Sequence, residues 1–410
     1  KIINRCNQLG VHVVAGGPLA TTEHRDILGV DHFVLNEAEL TLPPFLEDLQ
    51  NGRAKAVYAS ADFPDLSLTP IPQWNLLDMP HYAGMAVQYS RGCPFDCDFC
   101  SITMLNGHKP RTKSTEQFLS ELQSLYDHRW RGTVFIVDDN FIGNKSRLKN
   151  DLLPSLISWS EAHKFPFRFT TEVSINLADD EDLMRLMVRA GFHHTFVGIE
   201  TPDDGSLAEC GKTQNRRRDL VASVQTLQRH GLIVSGGFIV GFDNDPSNIF
   251  ERQIRLIQKS GIVTAMVGLL SAPTGTRLFQ RLKNENRLLS AMSGDNMDGS
   301  MNFIPKMSYA KLIQGYKQIL ETIYAPKEYY ERAKTLLRQY QKPKGKPSRL
   351  SLNDVAAFLR SLWKIGVLDR GQRYYWQLLF YSLFRCPQKF PLAVEMTIYG
   401  YHFRRVVRSI

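Results

Sequence analysis

The stretch Met85-Ala86-Val87-Gln88-Tyr89-Ser90-Arg91-Gly92-Cys93-Pro94-Phe95-Asp96-Cys97-Asp98-Phe99-Cys100 decides how the rest of the chain is read. Its first five residues have the short apolar pattern of a strand. Three cysteines follow, with three and then two residues between them. Thiolates so spaced can wrap one compact inorganic centre. Structural zinc normally takes four protein ligands. No fourth Cys or His stands at a normal offset, His108 lying eight residues beyond Cys100. A [4Fe–4S] cluster held by three cysteines leaves one iron open to chelate a small ligand. Phe95 and Phe99 would keep water from the sulfurs, and Gly92 lets the backbone come close.

Downstream, strand-like and helix-like periods alternate. Residues 85–89, 133–137, 167–172, 195–199, 234–240 and 265–270 read as strands. Residues 115–126, 148–163, 180–190, 217–230 and 249–259 read as amphipathic helices, and 276–282 begins a sixth. Six strand–helix units in a row make either a doubly wound sheet or a barrel, and periodicity does not separate the two. Upstream, 11–15 and 31–35 read as strands, with helices over 22–28 and 40–51, as at the end of an α/β layer. Pro64, Pro70, Pro72 and Pro80 mark an extended linker over 61–84. From Tyr309 helices dominate, broken by the Lys, Pro and Gly run at 342–347. The expected organisation is therefore residues 1–60, a linker 61–84, a core 85–290 and a helical region 291–410.

Composition narrows the classes. The 410 residues are 43% hydrophobic and 22% charged, which is ordinary globular usage. Apolar runs fall short of the ~20 residues that a membrane span needs. The chain opens with Lys1 in a helix-like stretch, with no leader pattern, and reads as a fragment lacking its N-terminal part. The net charge of +9 is uneven: residues 326–410 hold 17 Lys/Arg against 5 Asp/Glu. That tail also carries 15 of the 43 aromatics, among them Tyr329, Tyr330, Trp363, Tyr374, Tyr375, Trp376, Phe380, Tyr381 and Phe384. It suits either an anionic partner, such as a lipid surface, or a helical cap with a solvated basic face. Cys6, Cys210 and Cys386 are scattered, which argues against a secreted disulfide framework and for a reduced compartment.

A C-x3-C-x2-C loop after the first strand of such an array resembles the radical SAM superfamily. Three further motifs sharpen the resemblance: Asp138-Asp139-Asn140-Phe141-Ile142-Gly143-Asn144, Gly198-Ile199-Glu200-Thr201-Pro202 and Gly236-Gly237-Phe238-Ile239-Val240-Gly241-Phe242-Asp243. With Arg91-Gly92-Cys93-Pro94-Phe95 they are similar to the subgroup of cobalamin-binding-domain radical SAM proteins that includes the hopanoid C-2 methylase. The resemblance implies an α/β fold. A partial (β/α)6 barrel would follow the remnant of a Rossmann-like cobalamin-binding domain and precede a mostly helical C-terminal domain.

It also implies roles. Cys93, Cys97 and Cys100 would carry the [4Fe–4S] cluster, whose open iron binds the amino and carboxylate groups of S-adenosylmethionine (SAM). One-electron reduction then releases a 5′-deoxyadenosyl radical that takes a substrate hydrogen. Strand ends are where such folds place their sites. Asp138, Asp139, Asn140, Glu172, Ser174, Glu200, Lys212, Gly237 and Phe238 are accordingly expected to bind SAM. Gly16, Gly17, Pro18, Thr21 and Glu37 are expected to bind cobalamin. Relatives often carry glycine where Asn36 stands, before Glu37-Ala38-Glu39, and no Asp-x-His-x-x-Gly cobalt-ligating motif is present.

The reading this supports is a cobalamin-dependent radical SAM C-methyltransferase. Its expected substrate is hydrophobic, a polycyclic lipid being one candidate. An oxidative cyclase and an RNA-modifying methylthiotransferase are the rival enzymes. A non-enzymatic iron–sulfur or cobalamin protein would not need Asp138, Glu200 and Lys212. Expected partners are a small-molecule substrate and an electron donor such as flavodoxin or ferredoxin, with nucleic acid disfavoured. The expected location is cytoplasmic, with peripheral contact at a membrane.

Overall fold

The computed structural model describes residues 1–290, 299–343 and 352–408. Eleven strands are found among them. Three build a small parallel sheet in chain order: β1 (Val14–Gly16), β2 (His32–Val34) and β3 (Val57–Tyr58). Next come β4 (Gly84–Val87) and two short strands, β5 (Ser90–Arg91) and β6 (Arg111–Thr112), which pair antiparallel. Then follow β7 (Thr133–Ile136), β8 (Arg168–Val173), β9 (Phe192–Glu200), β10 (Ile233–Val240) and β11 (Ala265–Leu269).

Strand order settles the choice that periodicity left open. The main sheet runs β11-β10-β9-β8-β7-β4 and every neighbouring pair is parallel. A doubly wound sheet reverses direction at a switch point, so that early strands lie in the middle. Here each strand adds beside the one before it. Right-handed crossovers wound always the same way put all the connecting helices on one face, and the sheet curls as an open partial barrel.

Alternation along the strands marks the two faces. Met85, Val87, Val134, Ile136, Phe169 and Val197 are buried under the helices. Their neighbours on the other face stay open, Phe135 being 37% and Met266 54% exposed. The helices are amphipathic for the same reason. Glu181–Ala190 buries Leu183, Met184, Met187 and Ala190. It starts where the Asp180 side chain accepts from the Leu183 amide and stops at Gly191, whose φ of 111° few other residues adopt.

The elements differ in detail from the sequence expectation. The first expected strand is shifted to Val14–Gly16. The helix expected over 22–28 begins earlier, at Pro18, because proline fits the first turn and Gly17 (φ 88°) turns the chain into it. Only a 3-10 turn, His24–Asp26, follows. The two residues of β3 are too few to show a period. The segment 61–84 is not plainly extended: 3-10 turns at Leu66–Leu68 and Trp74–Leu76 bury Leu66 and Trp74 as anchors. The helix expected over 148–163 begins at Lys145 and passes through a π turn, Leu148–Leu152.

The expected boundary near 290 adjoins 291–298, which lie outside the described residues, as do 344–347 of the basic break. Past that boundary the chain still packs on the barrel. Leu288 bridges Phe303, and the Asn302 side chain bonds Ala272 through both its ends, at 2.8 and 2.9 Å. Helices Tyr309–Tyr324, Pro326–Gln339, Leu352–Lys364, Gln372–Arg385 and Phe390–Val407 complete the chain. They share one apolar core with the barrel, whereas the first sheet has only small clusters of its own. The aromatic tail divides: Tyr329, Tyr330 and Tyr375 lie wholly inside, while Trp363 is 62% and Phe384 77% exposed. No helix among the described residues is long and apolar enough to cross a membrane.

Candidate active site

The three closely spaced cysteines sit in the loop of the β5–β6 hairpin, at the C-terminal end of β4. Register pairs Ser90 with Thr112 and Arg91 with Arg111, so residues 92–110 form a loop with a two-residue neck. Gly92 threads that neck with φ 97°, and a Cβ there would meet the Gly107, Asn106 and Lys109 carbonyl oxygens at 2.9–3.0 Å. No larger side chain fits. The Cys93 amide then donates to the Gly107 carbonyl at 3.2 Å.

The β7 turn holds the neck from the barrel side. Both Asp138 oxygens are engaged: the Tyr89 and Ser90 amides donate to them at 2.8 Å and the Ser90 hydroxyl at 2.5 Å. Burial pushes the Asp138 carboxyl up to about 7 against the pull of these donors. Asp139 accepts from the Gly92 amide (3.2 Å) and the Asn106 amide group (3.0 Å). Asn140 accepts from the Ser174 amide at 3.1 Å, tying the β7 turn to the end of β8. Asp138, Asp139, Asn140 and Ser174 are thus used by the chain itself, and Asp138 has no free oxygen for the ligand contact the motif suggested.

Glu200 and Lys212 form the charged centre. Lys212 Nζ lies 2.7 Å from Glu200 Oε1, with side chains 13% and 8% exposed. Glu200 stands at φ 63°, an uncommon conformation for glutamate that turns its side chain back over β9. Gly198 makes the room: a Cβ there would overlap the Glu200 carboxylate and lie 2.8 Å from Lys212 Nζ. Burial pulls the Lys212 ammonium down, but Glu200 and the Cys97 and Cys100 thiols outweigh it and hold the group well above its ordinary range. Glu172, on the same inner face, makes no side-chain hydrogen bond or ion pair among the described residues. Burial, with Asp139 and Glu200 nearby, raises its carboxyl.

Gly237 is the register partner of Gly198; the Glu200–Lys212 pair fills the space over Gly198 and the Phe196 ring lies over Gly237. A Cβ at Gly237 would meet the Phe196 ring at 2.9 Å. Strand alternation turns Phe238 the other way: its ring is 1% exposed, in the core over Gly236. Only its backbone borders the inner face.

The cysteine donors suit an iron–sulfur cluster. Burial pushes the Cys97 thiol up to about 11 and raises Cys93 and Cys100, each also sensing another of the three. Lys212 favours their thiolates, and the Gln214 side chain lies against Cys97 with its Oε1 buried and unpartnered. No group of three His, Cys, Asp or Glu converges on one ion among the described residues; a cubane spreads its thiolates over separate irons. Gln214 and Asn215 escaped the sequence reading. Asn215 donates to the Gly198 and Ile199 carbonyls, both at 3.0 Å, and so pins this segment to the end of β9. Their only sequence signal was position, directly after Lys212.

The first sheet meets the loop neck through its acidic pair. Glu37 accepts from Arg91 (2.6 Å) and Arg111 (2.5 Å), and Arg91 donates twice to Glu39 at 2.8–2.9 Å. Glu37, expected to touch cobalamin, therefore has both oxygens occupied by arginine. Thr21 accepts from the Asn36 amide at 2.8 Å, and Asn36 takes φ 62°, the left-handed conformation that asparagine tolerates in place of glycine. Gly16 is packed, a Cβ there falling 2.7 Å from the Val34 carbonyl oxygen, whereas Gly17 before Pro18 faces open space.

The Radical SAM superfamily model matches residues 87–272, and a domain of unknown function (DUF4070) matches 276–410. An uncharacterized methyltransferase, sll1242, of Synechocystis sp. is 40% identical over 98% of this chain and 76% of its own. The chain belongs to the radical SAM superfamily. The hopanoid C-2 methylase of Rhodopseudomonas palustris is another relative, 29% identical over 94% of this chain and 74% of its own. A solved radical SAM methyltransferase, TsrM from Kitasatospora setae with cobalamin and a [4Fe-4S] cluster bound, superposes with a TM-score of 0.64. It is 14% identical and the match covers 98% of this chain and 84% of that one, so the fold is shared from the first sheet to the helical end. A radical SAM enzyme works with a [4Fe–4S] cluster and SAM.

Proposed function

We propose that this protein is a cobalamin-dependent radical SAM methyltransferase acting on an unactivated carbon of a hydrophobic substrate. One observation carries the reading: a single loop neck is gripped by the first sheet on one side and by the barrel on the other. A corrinoid on the first sheet and a cluster on Cys93, Cys97 and Cys100 would then face one barrel mouth. When bound, the cluster, SAM and cobalamin supply one-electron cleavage and methyl delivery.

The chain's own residues bind and orient. Lys212 offers an ammonium to the SAM carboxylate, and Glu200 holds that ammonium in place. Glu172 offers a carboxylate to ribose hydroxyls. The strand backbone at Gly237, beside the Phe196 ring, backs the adenine. Asp138, Asp139, Asn140 and Ser174 act one step back, fixing the loop. On the first sheet Gly17 and Pro18 leave the backbone open to the corrinoid tail. Phe135, Val137, Phe196 and Met266 line the inner face with apolar surface, which supports a hydrophobic substrate and keeps water out. An electron donor of flavodoxin or ferredoxin type is part of this reading.

The test is mass spectrometry of hydrophobic metabolites from cells with and without the gene. A product one CH2 heavier than its precursor supports methylation. An unmethylated ring-closed product supports the cyclase reading, and a methylthiolated nucleoside the RNA-modifying one.

A second reading concerns the helical end. Trp376, Phe380 and Phe384 stack along one helix with ring centroids 5.7 and 6.4 Å apart, and Trp363 and Leu383 are also exposed. Arg360, Lys364, Arg373 and Arg385 are near them in sequence. This ridge favours peripheral docking on an anionic membrane. Sedimentation with anionic vesicles that fades in high salt supports it; equal recovery in the supernatant with neutral and anionic vesicles defeats it.

A further inference from the structure

We propose that Arg91 and Arg111, locked by Glu37 and Glu39, are positioning residues that fix the cysteine loop to the first sheet. Arg91 and Arg111 are cross-strand partners at the loop's neck. Glu37 spans them: Arg91 donates to Oε2 at 2.6 Å, and Arg111 donates to Oε1 at 2.5 Å and to Oε2 at 3.2 Å. Glu39 takes Arg91 through two bonds, and the Arg91 Nε–H donates to Gln88 at 2.7 Å. Arg111 also donates to the Pro64 and Asn106 carbonyls, at 2.8 and 3.1 Å. The four charged side chains are 7–18% exposed. Planar guanidinium forks fix direction as well as distance, which a lysine in their place would not.

The arrangement leaves little slack. Arg91 is separated from Cys93 by Gly92 alone, where three loop carbonyls leave no room for a Cβ and whose amide is held by Asp139. Glu37 is equally fixed from behind, since Asn36 is tied to Thr21. A shift of the first sheet is thereby passed to Cys93 through rigid groups. Elsewhere the Thr274 hydroxyl, beyond β11, donates to Glu23 at the end of helix Pro18–Glu23, at 2.9 Å. The clamp thus sets where the cysteines stand relative to the sheet that, on the proposed function, carries the corrinoid.

The test compares wild type, the double variant Glu37→Gln/Glu39→Gln and Arg91→Lys, all iron-loaded under anaerobic conditions. Hydrogen exchange is followed by mass spectrometry, together with the electron paramagnetic resonance of the reduced cluster. The expected result for the double variant is at least about tenfold faster exchange over residues 92–110, with β8–β10 unchanged and iron content retained. The cluster signal should shift from that of wild type, and Arg91→Lys should fall between. Unchanged loop exchange overturns the proposal. So does equal loosening of the loop and β8–β10, which is the mark of a merely structural pair. Corrinoid retention by wild type on gel filtration tests the functional reading separately. Its failure alongside the expected exchange would remove cobalamin and leave the clamp standing.

Discussion

Lys212→Met is the sharpest probe of the charged centre. The substitution keeps the length of the side chain and removes the ammonium 2.7 Å from Glu200 Oε1. Both side chains are largely out of water, so the screening that makes exposed pairs nearly worthless does not apply. Glu200 would be left as a buried carboxylate without its cation, at a cost of about 3–5 kcal/mol, or roughly two to three and a half powers of ten in the folding equilibrium. Glu200→Gln strands the lysine in turn. The double variant removes both charges, so its loss should be smaller than the sum of the two by at least about 2 kcal/mol. Urea unfolding of the iron-free proteins under anaerobic conditions reads all four corners of the cycle. Single losses below about 1 kcal/mol that simply add would show that the pair is solvated and that Gly198 is not making room for a rigid ion pair.

Three further outcomes follow from the same geometry. Gly198→Ala drives a methyl group into the Glu200–Lys212 pair, so SAM affinity by equilibrium dialysis should drop about tenfold or more while iron content holds; unchanged affinity would detach the pair from SAM. Ala at Cys93, Cys97 or Cys100 should abolish iron–sulfur loading, whereas Ala at Cys6, Cys210 or Cys386 should leave it; full iron after Cys97→Ala would refute the assignment. Burial, with Arg168 nearby, lowers His194 from 6.5 to about 4, and its ring lies 2.8 Å from the Ser235 hydroxyl. The folded state therefore binds fewer protons than the unfolded chain between those values, and stability falls as pH drops from 6.5 toward 4. His194→Asn should remove roughly 3 kcal/mol of that acid-limb loss, and an unaltered limb in pH-dependent unfolding would contradict it.

Much of the site was legible because its chemistry is carried by residue types at short spacing. The cysteine triplet and the strand after strand of alternating apolar residues gave the core. Glu200 and Lys212 were visible as polar residues at or just beyond a strand end. What stayed hidden depends on pairing across long sequence separations. Sequential strand order, which makes the sheet a barrel, is a property of neighbours and not of periods. The β5–β6 neck is two residues on each side, too short to read. Glu37 was read as a ligand contact from the likeness of Glu37-Ala38-Glu39 to a family motif, and the arginines it accepts from stand 54 and 74 residues away. Asp138 is a buried acid at a strand end whose oxygens are filled by donors that only the folded chain brings to it. Phe238 was read from its motif, whereas the strand's alternation sends its ring into the core.

The central claim is that one barrel mouth brings together SAM cleavage and corrinoid methyl transfer. The direct measurement incubates the anaerobically reconstituted protein with cobalamin, a reductant and SAM labelled in its methyl group. 5′-Deoxyadenosine and the fate of the label are then followed. The account predicts 5′-deoxyadenosine and labelled methyl travelling with the corrinoid fraction, the first lost in Cys97→Ala. A protein with full iron that cleaves SAM but never places label on the corrinoid would contradict it.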